Sequence, residues 1–157
     1  MQLSEHFHLS EFTNSQTASR LMLDNMPDKT EIKALRLLCE NVLEPVRIHY
    51  ALPVRISSGF RSKAVNRAIR GSRTSQHCKG EAADFEIPSI SNVDVCRWME
   101  ANINYDQLIL EFYTPGIADS GWVHVSYRHA YRNMELTAQR IRINGIRRTK
   151  YISGIVA

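Results

Sequence analysis

Residues 57–87, SSGFRSKAVNRAIRGSRTSQHCKGEAADFEI, constrain the fold most, because they crowd an arginine, a histidine and an aspartate among glycines, serines and alanines too small to build a core. A chain of 157 residues is long enough to close one core of ordinary size and too short for two. The apolar residues on either side must therefore supply that core, and residues 1–157 are expected to form a single domain.

Upstream, Ile32, Leu35, Leu38, Val42 and Val46 recur every three or four positions and lay one apolar stripe along a helix over residues 29–48. Pro45 should kink or end that helix. Before it, Thr13 or Asn14 can cap a short helix over residues 15–24, closed by Asn25, Met26 and Pro27, with an extended start preceding it. Val54 and Ile56 share a face of a strand at residues 53–57, and Ser62 caps a helix through Ile69, with Gly71 placed to end it. Residues 71–80 lack periodicity and read as a loop, and AADFEI resumes as a strand. Ser91 and Asp94 make a capping box for a helix to about Ile103 that buries Val95, Trp98 and Met99. DQLILEFY and WVHVSY read as two strands joined by a turn-rich loop, and QRIRINGIRRTKYI as a hairpin turning at Asn144 and Gly145. The expected class is α+β, a small, mostly antiparallel sheet with helices packed against it.

Composition narrows the function. No run approaches the roughly 18 apolar residues of a membrane span, so no membrane insertion is expected. The start lacks a basic and apolar leader, which points to synthesis in the cytoplasm without a signal peptide. Cys39, Cys78 and Cys96 are odd in number and widely spaced, against a disulfide framework or a cysteine-rich zinc finger. The formal charge of +4 sits late, where Arg128, Arg132, Arg140, Arg142, Arg147, Arg148 and Lys150 face only Glu135. Such a stripe suits nucleic acid or the anionic bacterial envelope, and on charge alone a solvated face is the commoner case. No recognition helix or aromatic RNA motif accompanies it, so nucleic acid is not an expected partner.

Three residues carry the chemistry in combination. A catalytic zinc takes three protein ligands and leaves a fourth position open. His77 and Asp84 lie seven positions apart, close enough for a bend at Gly80 to bring both to one point, with Ala82 and Ala83 leaving room. His124 comes from another strand, on the face of Trp122 and Ser126. Taken singly, each is more often a core or surface residue than a ligand. Strand alternation sets Glu111 with Ile109 and Tyr113, opposite Leu108, Leu110 and Phe112. Pairing with WVHVSY then projects Glu111 beside His124, where apolar flanks would tune a general base; the alternative is an edge-strand glutamate that keeps a sheet soluble. Arg61, at a strand end, can bind a carboxylate or a developing oxyanion, or pair with a nearby acid at a helix entrance.

At these residues the sequence resembles the M15 zinc peptidases, the D-alanyl-D-alanine carboxypeptidase and phage endolysin group that shares its fold with the Hedgehog signalling domain. The pattern S-x-H-x-x-G-x-A-x-D is matched by Ser75, His77, Gly80, Ala82 and Asp84, SGFRS matches the turn carrying the family's substrate-side arginine, and WVHVSY matches W-x-H-x-S. Residues 3–20 and VLEPVR look like a subgroup frequent in phages. One departure stands out: many members carry E-x-x-H before the last histidine, and position 121 here is Gly121.

The resemblance implies one zinc ion held by His77, Asp84 and His124, with Glu111 as catalytic base and Arg61 in a catalytic and substrate-binding role. Ser75, Gln76 and Ser126 are further substrate-binding candidates. It implies hydrolysis of a peptide bond in a peptidoglycan stem peptide, by a monomer of endolysin type that reaches the wall after release. A D-alanyl-D-alanine carboxypeptidase and a non-catalytic zinc-containing wall-binding module are the alternatives.

Overall fold

The computed structural model describes residues 1–157. Helices α1 (Leu9–Thr13), α2 (Gln16–Leu21), α3 (Lys29–Leu38) and α4 (Glu44–Tyr50) precede strand β1 (Arg55–Ser58). Then come α5 (Lys63–Ala68), β2 (Ala82–Glu86), α6 (Asn92–Asn102), β3 (Gln107–Glu111), β4 (Trp122–Ser126), β5 (Met134–Ile143) and β6 (Ile146–Ser153). The strands form one six-stranded sheet in the order β1-β2-β4-β3-β5-β6, antiparallel at every junction except β3 with β5. The fold is thus the expected mixed class, a mostly antiparallel sheet with helices packed against it. No helix is long and apolar enough to cross a membrane.

The long helix keeps its stripe but absorbs its proline differently from a kink. Leu35, Leu38, Val42 and Val46 are fully buried. Between α3 and α4 the backbone widens into a π turn, Cys39–Leu43, and the Glu44 amide reaches back to the Cys39 carbonyl. Pro45 has no N–H to give to the preceding turn, and a widened turn just before it lets the chain continue in the same direction. On the other side of the core lie Phe85, Leu108, Leu110, Val123 and Val125, all fully buried. Each is worth roughly 1.5–3 kcal/mol of burial, so the central strands are the most firmly registered part of the sheet.

Several local expectations change. The start is not simply extended, since residues 9–13 form α1, and α2 is capped by Ser15, whose hydroxyl accepts from the Ala18 amide. Gly71 does not supply the left-handed turn after α5; Arg70 does, at φ 57°. Ser91 begins α6 without a side-chain cap, and its hydroxyl is buried without a partner, so the capping box does not form. Trp98 is only half-buried and stacks on His49 at 4.1 Å between ring centroids. Strand alternation fails at Phe112, which sits at φ 56°. The left-handed residue rotates the chain, so Phe112 meets Trp122 edge-on at 5.3 Å while Tyr113 packs against the core.

Candidate metal centre

Each central side chain is delivered by a different piece of chain. In β1 a bulge between Ile56 and Ser58 turns the strand beside Asp84, and the Ser57 hydroxyl donates to the Asp84 carbonyl. The chain then passes Gly59, where a Cβ would lie 2.6 Å from the Phe12 Cα, so only glycine permits this approach. Asn25 braces the turn from outside. Its amide donates to the carbonyls of Thr13 and Phe60, and its oxygen accepts from the Ser62 amide. Residues 76–79, read as loop, wind into a single 3-10 turn, Gln76–Lys79, ended by Gly80 in the left-handed region.

That turn buries His77, whose Nδ1 lies 2.7 Å from the Gly59 carbonyl oxygen. A carbonyl only accepts, so Nδ1 carries the proton and Nε2 presents its lone pair inward. Asp84 and His124 stand directly opposite each other on β2 and β4. Asp84 Oδ1 is 2.7 Å from His124 Nδ1 and 3.3 Å from His77 Nε2, and the two imidazole nitrogens are 3.3 Å apart. All three ligand atoms fall within 4.8 Å of one another.

This donor set fits a zinc ion. Zinc bound to imidazole nitrogens in tetrahedral geometry separates neighbouring ligand atoms by about 3.4 Å, the spacing seen between the two histidines. The 2.7 Å contact of Asp84 with His124 is the hydrogen bond of a protonated Nδ1, a proton that a metal ion would displace. Burial works against the charge of Asp84, but His77 and the hydrogen bond from His124 outweigh it and hold the carboxyl well below its usual range. Burial pushes His77 down, while for His124 the hydrogen bond it donates to Asp84 overcomes burial and the net direction is upward.

The triad forms the floor of a cleft of about 580 Å³. Ile109 pairs with His124 and Glu111 with Trp122, so Glu111 lies one step along the same face from the third ligand. Burial raises its carboxyl above the ordinary range, and His124 offsets this only in part. Gly121 adopts φ 67° against the same strand, and a Cβ there would lie 2.0 Å from the Glu111 carbonyl oxygen. An E-x-x-H glutamate therefore has no room at position 121, and the nearby carboxylate is the one on β3. Arg61 Nη2 is 3.9 Å from Asp84 Oδ2, its amide donates to the His77 carbonyl, and its buried Nε has no partner.

Of the remaining candidates, Ser75 and Gln76 line the cleft. Ser126 does not. It is fully buried beneath the sheet surface, its hydroxyl directed 3.5 Å from the Gln107 carbonyl, and offers a substrate no exposed atom. Burial raises the Cys78 thiol, so this neighbour of His77 is not a ready thiolate. Sequence reasoning missed four contributors. Asn25 looked like a helix breaker, and Asn92, which donates to the carbonyls of Ser120 and Gly121 and so pins the β3–β4 loop, was not singled out. Asp106 and Tyr151, which also line the cleft, belong to no local pattern.

Two histidines and an aspartate converging beneath an elevated carboxylate are the parts of a mononuclear metallohydrolase centre. The family model described as Peptidase M15 matches residues 5–126, and the chain belongs to that family, whose peptidases are zinc-dependent. Comparison with curated proteins found no match.

Proposed function

We infer that the protein is a zinc-dependent endopeptidase that hydrolyses a peptide bond within peptidoglycan stem peptides, in the manner of a phage endolysin. The observation that carries this reading is the juxtaposition of the His77–Asp84–His124 donor set with the raised carboxyl of Glu111 on one face of the sheet. Membership in the M15 family supports a peptidase acting on peptidoglycan-type substrates. An endopeptidase is favoured over a carboxypeptidase because the cleft continues past the triad in both directions, toward Trp122 and toward Gln107.

His77, Asp84 and His124 would hold the ion, which when bound supplies Lewis-acid activation of water and of the scissile carbonyl. Glu111 takes the proton of the attacking water and delivers it to the leaving amine, a task suited to a carboxylate whose pKa burial raises above its ordinary range. Arg61, pointed at the centre from the β1 side, stabilises negative charge on the carbonyl oxygen or holds a substrate carboxylate. Gly59 keeps His77 in the tautomer that binds metal. Ser75 and Gln76 border the substrate path.

The test is incubation of purified sacculi with zinc-loaded protein, with chelated protein and with Glu111→Gln, products being identified by mass spectrometry. New peptide termini that need both metal and Glu111 are expected, and their identity fixes the bond. Bound zinc with no new termini on walls of several chemistries would replace this reading by the wall-binding module.

A further inference from the structure

Beyond the centre, the wall of the cleft carries a charge arrangement that peptide hydrolysis leaves without a task. Asp106, fully buried just ahead of β3, accepts from Arg128 Nε at 2.7 Å, Arg132 Nε at 2.9 Å, Arg132 Nη2 at 2.7 Å and Gln76 Nε2 at 2.9 Å. Burial alone would raise this carboxyl, but the hydrogen bonds from Arg132, Arg128 and Gln76 lower it to about 2. Its acceptor capacity is filled, yet two guanidiniums facing one carboxylate leave a net positive charge.

The donors left over belong to residues that line the cleft. Arg128 is gripped by Nε alone and Arg132 by Nε and Nη2, so both η nitrogens of Arg128 and Nη1 of Arg132 make no hydrogen bond within the chain. Both side chains are 43% exposed and line the cavity that holds the triad, which Lys79 and Glu81 also line. Tying down a surface loop does not require a buried carboxylate, whose desolvation two apolar residues would avoid. What the cluster adds is a pair of guanidiniums held in fixed orientation, and Gln76, adjacent to His77, sets that pair in register with the metal ligands. Arg61 belongs to the opposite side of the centre, beside Asp84.

We propose that Arg128 and Arg132, held by Asp106, form a carboxylate-binding subsite at the end of the cleft away from Glu111, which takes a free carboxylate of the substrate remote from the scissile bond. The identity of that substrate rests on the peptidoglycan reading above; the anion preference itself does not.

Stem peptides released from sacculi, as free acids and after carboxyl amidation, would be titrated by calorimetry into zinc-loaded Glu111→Gln protein, with and without Arg128→Gln. The acid is expected to bind about 10- to 100-fold more tightly than the amide, a ratio that Arg128→Gln reduces toward one and Arg128→Lys restores in part. Equal binding of acid and amide, binding of neither, or an equal loss on both forms in Arg128→Gln would overturn the subsite. Sacculus cleavage by the parent protein is scored separately. Acid-selective binding without cleavage keeps the subsite and overturns the peptidase; cleavage without acid preference does the reverse.

Discussion

The β2–β4–β3 centre of the sheet and the β5–β6 hairpin are neighbours held in place by opposite means. In the centre, burial sets the register: Ala83, Phe85, Leu108, Val123 and Val125 are fully buried, and a slip of one residue would turn them outward and drive Asp84 and His124 from the cleft into the core. The hairpin is mostly exposed, with Ile146 at 59% and Tyr151 at 56%, and its register comes from the Asn144–Gly145 turn, both residues at positive φ. The family match ends at residue 126, between the two. Yet the hairpin touches the cleft, since Tyr151 lines it and the Arg140 guanidinium lies 4.6 Å over the Phe112 ring. The chemistry thus sits where the interior fixes geometry, while the locally specified hairpin supplies one wall.

The sharpest way to break this division is at the centre. Asp84→Ala removes a ligand and should lower kcat/KM by at least about a thousandfold, more than the 10- to 100-fold typical of outer-sphere partners; metal content below one ion per folded chain checks the cause. Glu111→Gln should lower kcat about 10²- to 10⁴-fold and leave zinc bound, so activity and metal content separate the two variants.

Glycine substitutions compare the regions directly. Gly121→Ala forces a Cβ to within 2.0 Å of the Glu111 carbonyl at φ 67°, whereas Gly145→Ala, at φ 77°, meets nothing within 4 Å. The first should cost about 3 kcal/mol or more and disturb Glu111. The second should cost about 1 kcal/mol with activity retained. Chemical denaturation of both variants measures the gap, and equal losses would mean that the hairpin is as tightly determined as the centre.

Between these in size falls Asp106→Asn, expected to cost about 1–3 kcal/mol at neutral pH by weakening charge-assisted hydrogen bonds. The folded pKa of Asp106 is depressed to about 2, so its contribution is present above the ordinary carboxylate range near 4 and fades as pH falls toward 2. Denaturation midpoints between pH 5 and pH 2 should therefore fall more steeply for the parent than for the variant.

What was legible in the sequence was whatever local pattern or spacing encodes. The apolar stripe gave the long helix, the alternation gave β3 and β4, and the seven-residue spacing of His77 and Asp84 gave two candidate ligands meeting at a bend. What escaped depends on partners far along the chain. Asp106 matters because Arg128, Arg132 and Gln76 converge on it, and Asn25 because it joins Thr13 to Phe60 and Ser62. Ser126 misled in the other direction, since strand alternation gives the facing of a residue but not its burial. The π turn and the left-handed Phe112 were invisible because each resolves a conflict between local preference and packing.

The acceptor that orients His77 is a main-chain oxygen, and this decides which substitutions can disturb it. Side-chain orienters such as Asp or Asn are single mutational targets, but no codon change deletes the carbonyl of Gly59. Position 59 is itself closed to every other residue by the Phe12 backbone 2.6 Å from where a Cβ would stand. The tautomer of His77 is therefore set by the path of the chain, and a substitution can reach it only by moving that path.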